Sequence, residues 1–273
     1  MNLGIALGGL VAGFIARSAD PSTFTILFFL DAATFLVFLV VLRVVPAPRH
    51  AEDHTAAPGR YADVLANRVF LSYILLNVTF IAAGIAVASE LLPPFAKNTS
   101  HVSERAIGVL WFETSIVIAL AQLPIVKLVE GRRRMRGLAL MGLIWAGSFA
   151  LVLLGGASWT GTAAALVFGA AVVPFALGEC LHGAIYAPLV ADLAEPRLMG
   201  RYMAFSSFSW QLAFFLAPAA GGFVLQASPL ALWPAAAAIC LVASAYALWL
   251  ERRIPPRLHR TPTAQPVLAP AKG

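Results

Sequence analysis

Long apolar blocks, separated by short charged segments, run through almost the whole chain, and no other feature limits its fold as tightly. Eight blocks can be marked, roughly 2–16, 23–45, 69–92, 106–129, 137–155, 162–190, 202–226 and 230–250. A helix needs about 20 apolar residues to cross the hydrocarbon of a bilayer. Seven of the blocks are long enough, and the first is short. The pattern predicts an all-α polytopic membrane protein with eight transmembrane helices. Only 12% of the residues are charged, against about 25% in a soluble domain.

The basic residues test this count. Adjacent helices run in opposite directions, so the connections alternate between the two sides of the bilayer. One side receives Arg43, Arg49, Arg60 and Arg68, the cluster from Lys127 to Arg136, Arg197 and Arg201, and the basic residues from Arg252 to Lys272. The other receives only Arg17, Lys97 and Arg105 of the 19. By the positive-inside rule the richer side is cytoplasmic, and both chain ends lie on it. The expected location is the cell (inner) membrane, with several passes. The net charge of +6 is thereby explained by topology, and no nucleic-acid partner is expected. Met1 runs directly into an apolar block, so no cleavable signal peptide is expected. Cys180 and Cys240 lie inside apolar blocks without ligand-like spacing and read as small core residues.

The longest polar connection, 46–68, mixes charges with Pro, Gly and Ala. It reads as a central cytoplasmic linker that divides two helices (1–45) from six (69–254). The tail, 255–273, is rich in proline and is expected to be disordered and cytoplasmic.

Two glycine-rich stretches repeat one another: "GIALGGLVAG", with Gly4, Gly8, Gly9 and Gly13, and "FFLAPAAGG", with Pro218, Gly221 and Gly222. Small residues let helix backbones approach closely, and proline kinks a helix. Both stretches resemble the GxxxGPxxGG motif that marks the fifth helix of drug/proton antiporters in the major facilitator superfamily. In the first copy Gly9 stands at the proline and Ala12 at a glycine; in the second Ala217 replaces a glycine. Five helices separate the copies, as the parallel six-helix repeats of that superfamily require.

Two longer stretches extend the resemblance. "IGVLWFETSIVIALAQLPIVKLVEGRRRMRGLAL" is similar to the eighth helix, the basic loop and the start of the ninth. "ALGECLHGAIYAPLVADLAEPRLMGRYMAF" is similar to the tenth helix and the start of the eleventh. In that register "FFLDAATFLVFLVVL" falls on the sixth. The resemblance implies a partial major-facilitator fold: the last two helices of the N-terminal half and the complete six-helix C-terminal half. Four helices would then be missing before Met1, making this a truncated transporter that needs them to be complete. The implied function is secondary active transport, proton-coupled efflux of small molecules by alternating access, with no cofactor. The alternative is a non-transporting membrane protein or helix-assembly module.

Transport of this kind needs a cavity near the bilayer midplane, and an ionisable group there if protons are coupled. Charges at that depth cost at least about 2.5 to 3.5 kcal/mol. Glu179 lies nearest the middle of its block, and spacings of three and four put Phe175, Glu179, His182 and Tyr186 on one stripe between Pro174 and Pro188. Glu179 and His182 could share or relay a proton; the plain alternative is a neutral Glu bonded to a neighbouring helix. Glu113, beside Trp111 and Phe112, is either a cavity-mouth acid or a snorkelling one. Asp31 is a further proton-coupling or cavity candidate, although the resemblance of its "LDAATF" context suggests a role in packing its half against the neighbours, and Glu90 reads as an interfacial acid.

The loop with Arg132, Arg133, Arg134 and Arg136 sets topology and attracts anionic lipid head groups. The resemblance adds a second role, a cytoplasmic latch that favours one access state. The chain has no GxxxxGK[ST], HExxH or GxSxG motif and no second metal ligand near its helix-borne histidine, so it does not read as an enzyme.

Overall fold

In a bilayer every backbone N–H and C=O must be satisfied within the protein, so apolar segments of this length become helices. The computed structural model describes residues 2–17, 20–44 and 60–263. Seven of its helices are long and apolar enough to cross a membrane. They are preceded by α1 (Asn2–Ile15), which has only 14 residues.

The spans follow in order. After α2 (Ser22–Val44) and the short α3 (Tyr61–Ala66), one long span covers Arg68–Asn98. It consists of α4 (Arg68–Phe80), a π-helical stretch (Ile81–Leu91) and α5 (Leu92–Asn98). Then come α6 (Glu104–Val129), α7 (Arg134–Ser158), α8 (Gly161–Leu193), α9 (Met199–Ala227) and α10 (Leu232–Glu251).

The long span runs further than the apolar block, through Pro93 and Pro94. Neither proline has the N–H that would reach the carbonyls of Ser89 and Glu90 in an α-helix. The hydrogen-bond ladder preceding them is widened to the π spacing. Asn67 starts this span by accepting from the Phe70 N–H at 3.0 Å, and Ser103 starts α6 by accepting from Ala106 at 3.3 Å.

The core lies among the six spans from Arg68 to Glu251. α7 packs between α8 and α10, α8 also lies against α6, and the π-helical stretch and α4 lie against α9. Trp145 of α7 is fully buried at the centre. Its indole N–H donates to the Phe175 carbonyl at 3.0 Å and its ring stacks on Phe175. Glycines make the room: a Cβ on Gly178 would sit 2.5 Å from the indole nitrogen, and one on Gly84 would strike the other side of the ring. α1 is held against α6 in the same way, because a Cβ on Gly13 would come within 2.8 Å of the Gly108 Cα. α2, in contrast, buries none of its residues. Its exposed side chains, including Phe28, Phe29 and Phe35, suit a lipid surface.

Two expectations outside the spans need comment. Residues 46–59, most of the expected linker 46–68, lie outside the described residues; its end includes α3, where Arg201 of α9 stacks over Tyr61. The expected disorder from residue 255 does not hold for 255–263. This segment forms a 3-10 turn (Pro256–Leu258) and pairs with the α6–α7 loop. Gly131 donates to the Thr261 carbonyl at 3.0 Å, Thr261 to that of Arg132 at 3.0 Å, and Arg134 to that of His259 at 2.8 Å. Its proline content predicts disorder, but the loop offers three backbone partners. Residues 264–273 lie outside the described residues.

Candidate functional site

The stripe on α8 divides between two surroundings. His182 and Tyr186 turn toward α4 and α9, where they enter a buried polar network. His182 Nε2 lies 2.8 Å from Asn77 Oδ1, and Asn77 Nδ2 donates to Ser209 Oγ at 2.9 Å. Because the amide nitrogen faces Ser209, its oxygen is the acceptor and Nε2 carries the proton. Ser209 Oγ donates to the Ser206 carbonyl at 2.6 Å. The Tyr186 hydroxyl lies 2.9 Å from Ser206 Oγ and 3.3 Å from Ser209 Oγ. Above them the His182 ring stacks on Tyr186, with centroids 4.9 Å apart.

Glu179 has a different environment. Its side chain is half-buried and, among the described residues, makes no hydrogen bond or ion pair. It faces a narrow crevice of about 40 Å³ between the long span, α6 and α8, walled by Ser89, Pro93, Trp111, Thr114 and Phe175. That volume holds a few waters at most, far below the roughly 300 to 1,000 Å³ of a small-molecule pocket. Ser89, Pro93, Ile107 and Trp111 also line a groove of about 680 Å³ that runs along α1 past Gly9 and Gly13. The crevice and the groove therefore share a wall. Glu179 and His182 are not joined by a hydrogen bond, contrary to the proton sharing their spacing suggested. They are about 60° apart around the helix, and different neighbours pack on each side.

The other candidates are placed separately. Glu113 is half-buried in a different groove, of about 440 Å³, between α6 and α8, and its carboxylate rests against Gly169. Asp31 is exposed on α2, where its carbonyl accepts from Thr34 Oγ1 at 2.7 Å; it is not brought to the crevice. Glu90 is exposed at the edge of the α1 groove. Of the glycine motifs, Gly9, Gly13 and Gly221 sit at close contacts, with Trp111, Gly108 and Leu91 respectively. Gly4, Gly8 and Gly222 have open space around them. Pro218 lies inside α9 and is exposed.

The basic loop forms a charged joint at the opposite end of α7 from its C-terminus. Arg134 is almost fully buried and its Nη2 lies 2.6 Å from Asp192 Oδ2 at the end of α8. Arg133 Nε lies 3.0 Å from Glu251 at the end of α10, and Arg136 Nε lies 3.9 Å from the same carboxylate. Arg132 is exposed. Asn77, Ser209, Asp192 and Glu251 were not singled out from sequence. The only available signal was polarity inside or at the end of an apolar block.

Six packed helices of membrane length, preceded by a seventh, define a multi-pass α-helical membrane protein. The chain matches the Major Facilitator Superfamily over residues 1–212 and 92–272. It belongs to that superfamily of membrane transporters. No curated protein matches the chain.

Proposed function

We propose that the protein is a secondary active transporter that exports small, lipophilic molecules in exchange for protons by alternating access. The observation that carries this reading is the carboxyl of Glu179, which faces a crevice within a membrane-length helix bundle and has no hydrogen-bond or ion-pair partner among the described residues. An embedded acid is costly and normally faces other helices or water. Proton occupancy at Glu179 then depends on whether the crevice is open to water, which alternating access changes. The adjoining groove of about 680 Å³ is large enough for a small molecule. His182, with Asn77, Ser209 and Tyr186, holds α4, α8 and α9 in register around it.

In this reading the six spans from Arg68 to Glu251 form one moving half, and α1 and α2 belong to the other. The basic ends face the cytoplasm of a cell (inner) membrane, as the positive-inside rule requires.

The test is accumulation of ethidium and similar lipophilic dyes inside inverted vesicles, where an exporter pumps inward, under an imposed pH gradient with the interior acidic. Wild-type protein moves dye with the gradient, and Glu179→Gln abolishes the pH dependence while the protein still folds. Unchanged pH-driven accumulation in Glu179→Gln removes the coupling role. A wild-type protein that moves no dye under any gradient supports instead a non-transporting, helix-assembly role.

A further inference from the structure

The ordered tail and the basic loop together border a further cavity, of about 480 Å³, that the proposed transport cycle does not use. Its rim carries Arg132, Arg133 and Arg136 from the loop and the start of α7, and Arg260 from the tail. Its floor is apolar, formed by Leu128, Leu140, Leu181 and Ile185 of α6, α7 and α8.

One acid, Glu251, engages this basic rim, and Glu130 is adjacent to it in sequence. Glu251 takes Arg133, with Arg136 more loosely engaged at 3.9 Å. Glu130 makes no ion pair among the described residues. Arg132 and Arg260 are exposed and are likewise without an acidic partner among those residues; Arg260 instead donates to the Gly131 carbonyl at 2.8 Å. That bond fixes its guanidinium at the rim. The positive end of the α7 dipole adds to the same field.

The floor distinguishes the ligand. Leu128 and Leu140 are 54% and 51% exposed, so the cavity opens sideways onto the lipid-facing surface of the bundle. A soluble anion needs only the arginines. A molecule with an anionic head and hydrocarbon chains matches both rim and floor at the depth where α6 ends and α7 begins.

We propose that this cavity is a binding site for an anionic glycerophospholipid, with its phosphate on Arg132 and Arg260 and its acyl chains along Leu128 and Leu140. The site exists only while the tail is docked on the loop, because Arg260 arrives on the tail. A bound lipid and the docked tail therefore stabilise each other.

Native mass spectrometry of the protein released from micelles containing equimolar phosphatidylglycerol and phosphatidylcholine tests the assignment. Wild type retains phosphatidylglycerol preferentially. Basic residues near a membrane surface contribute about fivefold each to lipid affinity, so Arg132→Ala lowers retention by about that factor and Arg132→Ala with Arg260→Ala by more than tenfold. Leu140→Gln lowers it without changing charge, and millimolar inorganic phosphate leaves the lipid in place. Arg132→Ala alone removes no structural bond, so it reads the site without disturbing the fold.

Four results would overturn the proposal. They are equal retention of the two lipids by wild type, no loss in Arg132→Ala, an equal loss in the control Arg252→Ala with Arg257→Ala, and displacement by inorganic phosphate. The third would show a bulk charge effect, and the fourth a site for a free anion.

Discussion

His182 Nε2 lies 2.8 Å from Asn77 Oδ1, joining the middle of α8 to α4 in a buried position. Removing either side chain leaves the other without its partner. Asn77→Ala should destabilise the protein by about 1 to 3 kcal/mol, the cost of an unsatisfied buried polar group. A double-mutant cycle with His182→Ala should give a coupling of about 0.6 to 1.7 kcal/mol, the range for polar contacts between membrane helices. Denaturation of the purified protein in micelles measures both. Zero coupling would mean that the pair does not hold the helices.

Glu179 and Glu113 should separate in function, because they face different cavities. Under the proposed mechanism Glu113→Gln leaves pH-driven dye accumulation unchanged, whereas Glu179→Gln loses it. Equal loss in both variants, measured in the same vesicles, would place the coupling group elsewhere or spread it over both acids.

Arg134 is 1% exposed and Asp192 37% exposed, which makes their ion pair asymmetric. Two nitrogens of the Arg134 guanidinium, Nε and Nη1, are buried without a hydrogen bond, so Asp192 is the main compensation for its charge. Asp192→Asn should therefore destabilise by about 3 kcal/mol, and Arg134→Met with Asp192→Leu by less than that. Thermal unfolding ranks the two. The same variants test the proposed latch: weakening it should shift the balance of access states, seen as altered cysteine labelling along the α6–α7 loop. Unaltered labelling would leave the cluster as a topology determinant alone.

The glycine motif should divide by contact. A Cβ on Gly13 would sit 2.8 Å from the Gly108 backbone, while Gly4, Gly8 and Gly222 have no neighbour within 4 Å. Gly13→Ala or Gly108→Ala should cost about 1 to 3 kcal/mol through overpacking, since backbone cannot move aside as a side chain can. Gly4→Ala, Gly8→Ala and Gly222→Ala should be close to silent. Melting temperatures of the five variants decide it. Similar losses at all five positions would point to a general need for flexibility.

The sequence by itself determined the number and approximate limits of the spans. A helix in a membrane satisfies its own backbone, so its existence depends on a local run of apolar residues such as Gly161–Leu193. It also placed Glu179 and His182 in the middle of that run. The helix boundaries around Pro93 and Pro94 were less legible, because the π-helical stretch preceding them is a response to missing donors and not to hydrophobicity. Only the tertiary structure decided where each polar side chain faces. Two residues three apart on a helix differ in direction by about 60°, small enough to share a stripe on paper. Yet the seam between α4, α8 and α9 takes His182 into a network with Asn77, Ser209, Ser206 and Tyr186, and the gap between α6 and the π-helical stretch leaves Glu179 with no hydrogen bond among the described residues. The ordering of 255–263 was decided in the same way, by backbone donors and acceptors presented from a loop more than a hundred residues away. Span formation is local chemistry, whereas the role of a polar group depends on which helix packs against it.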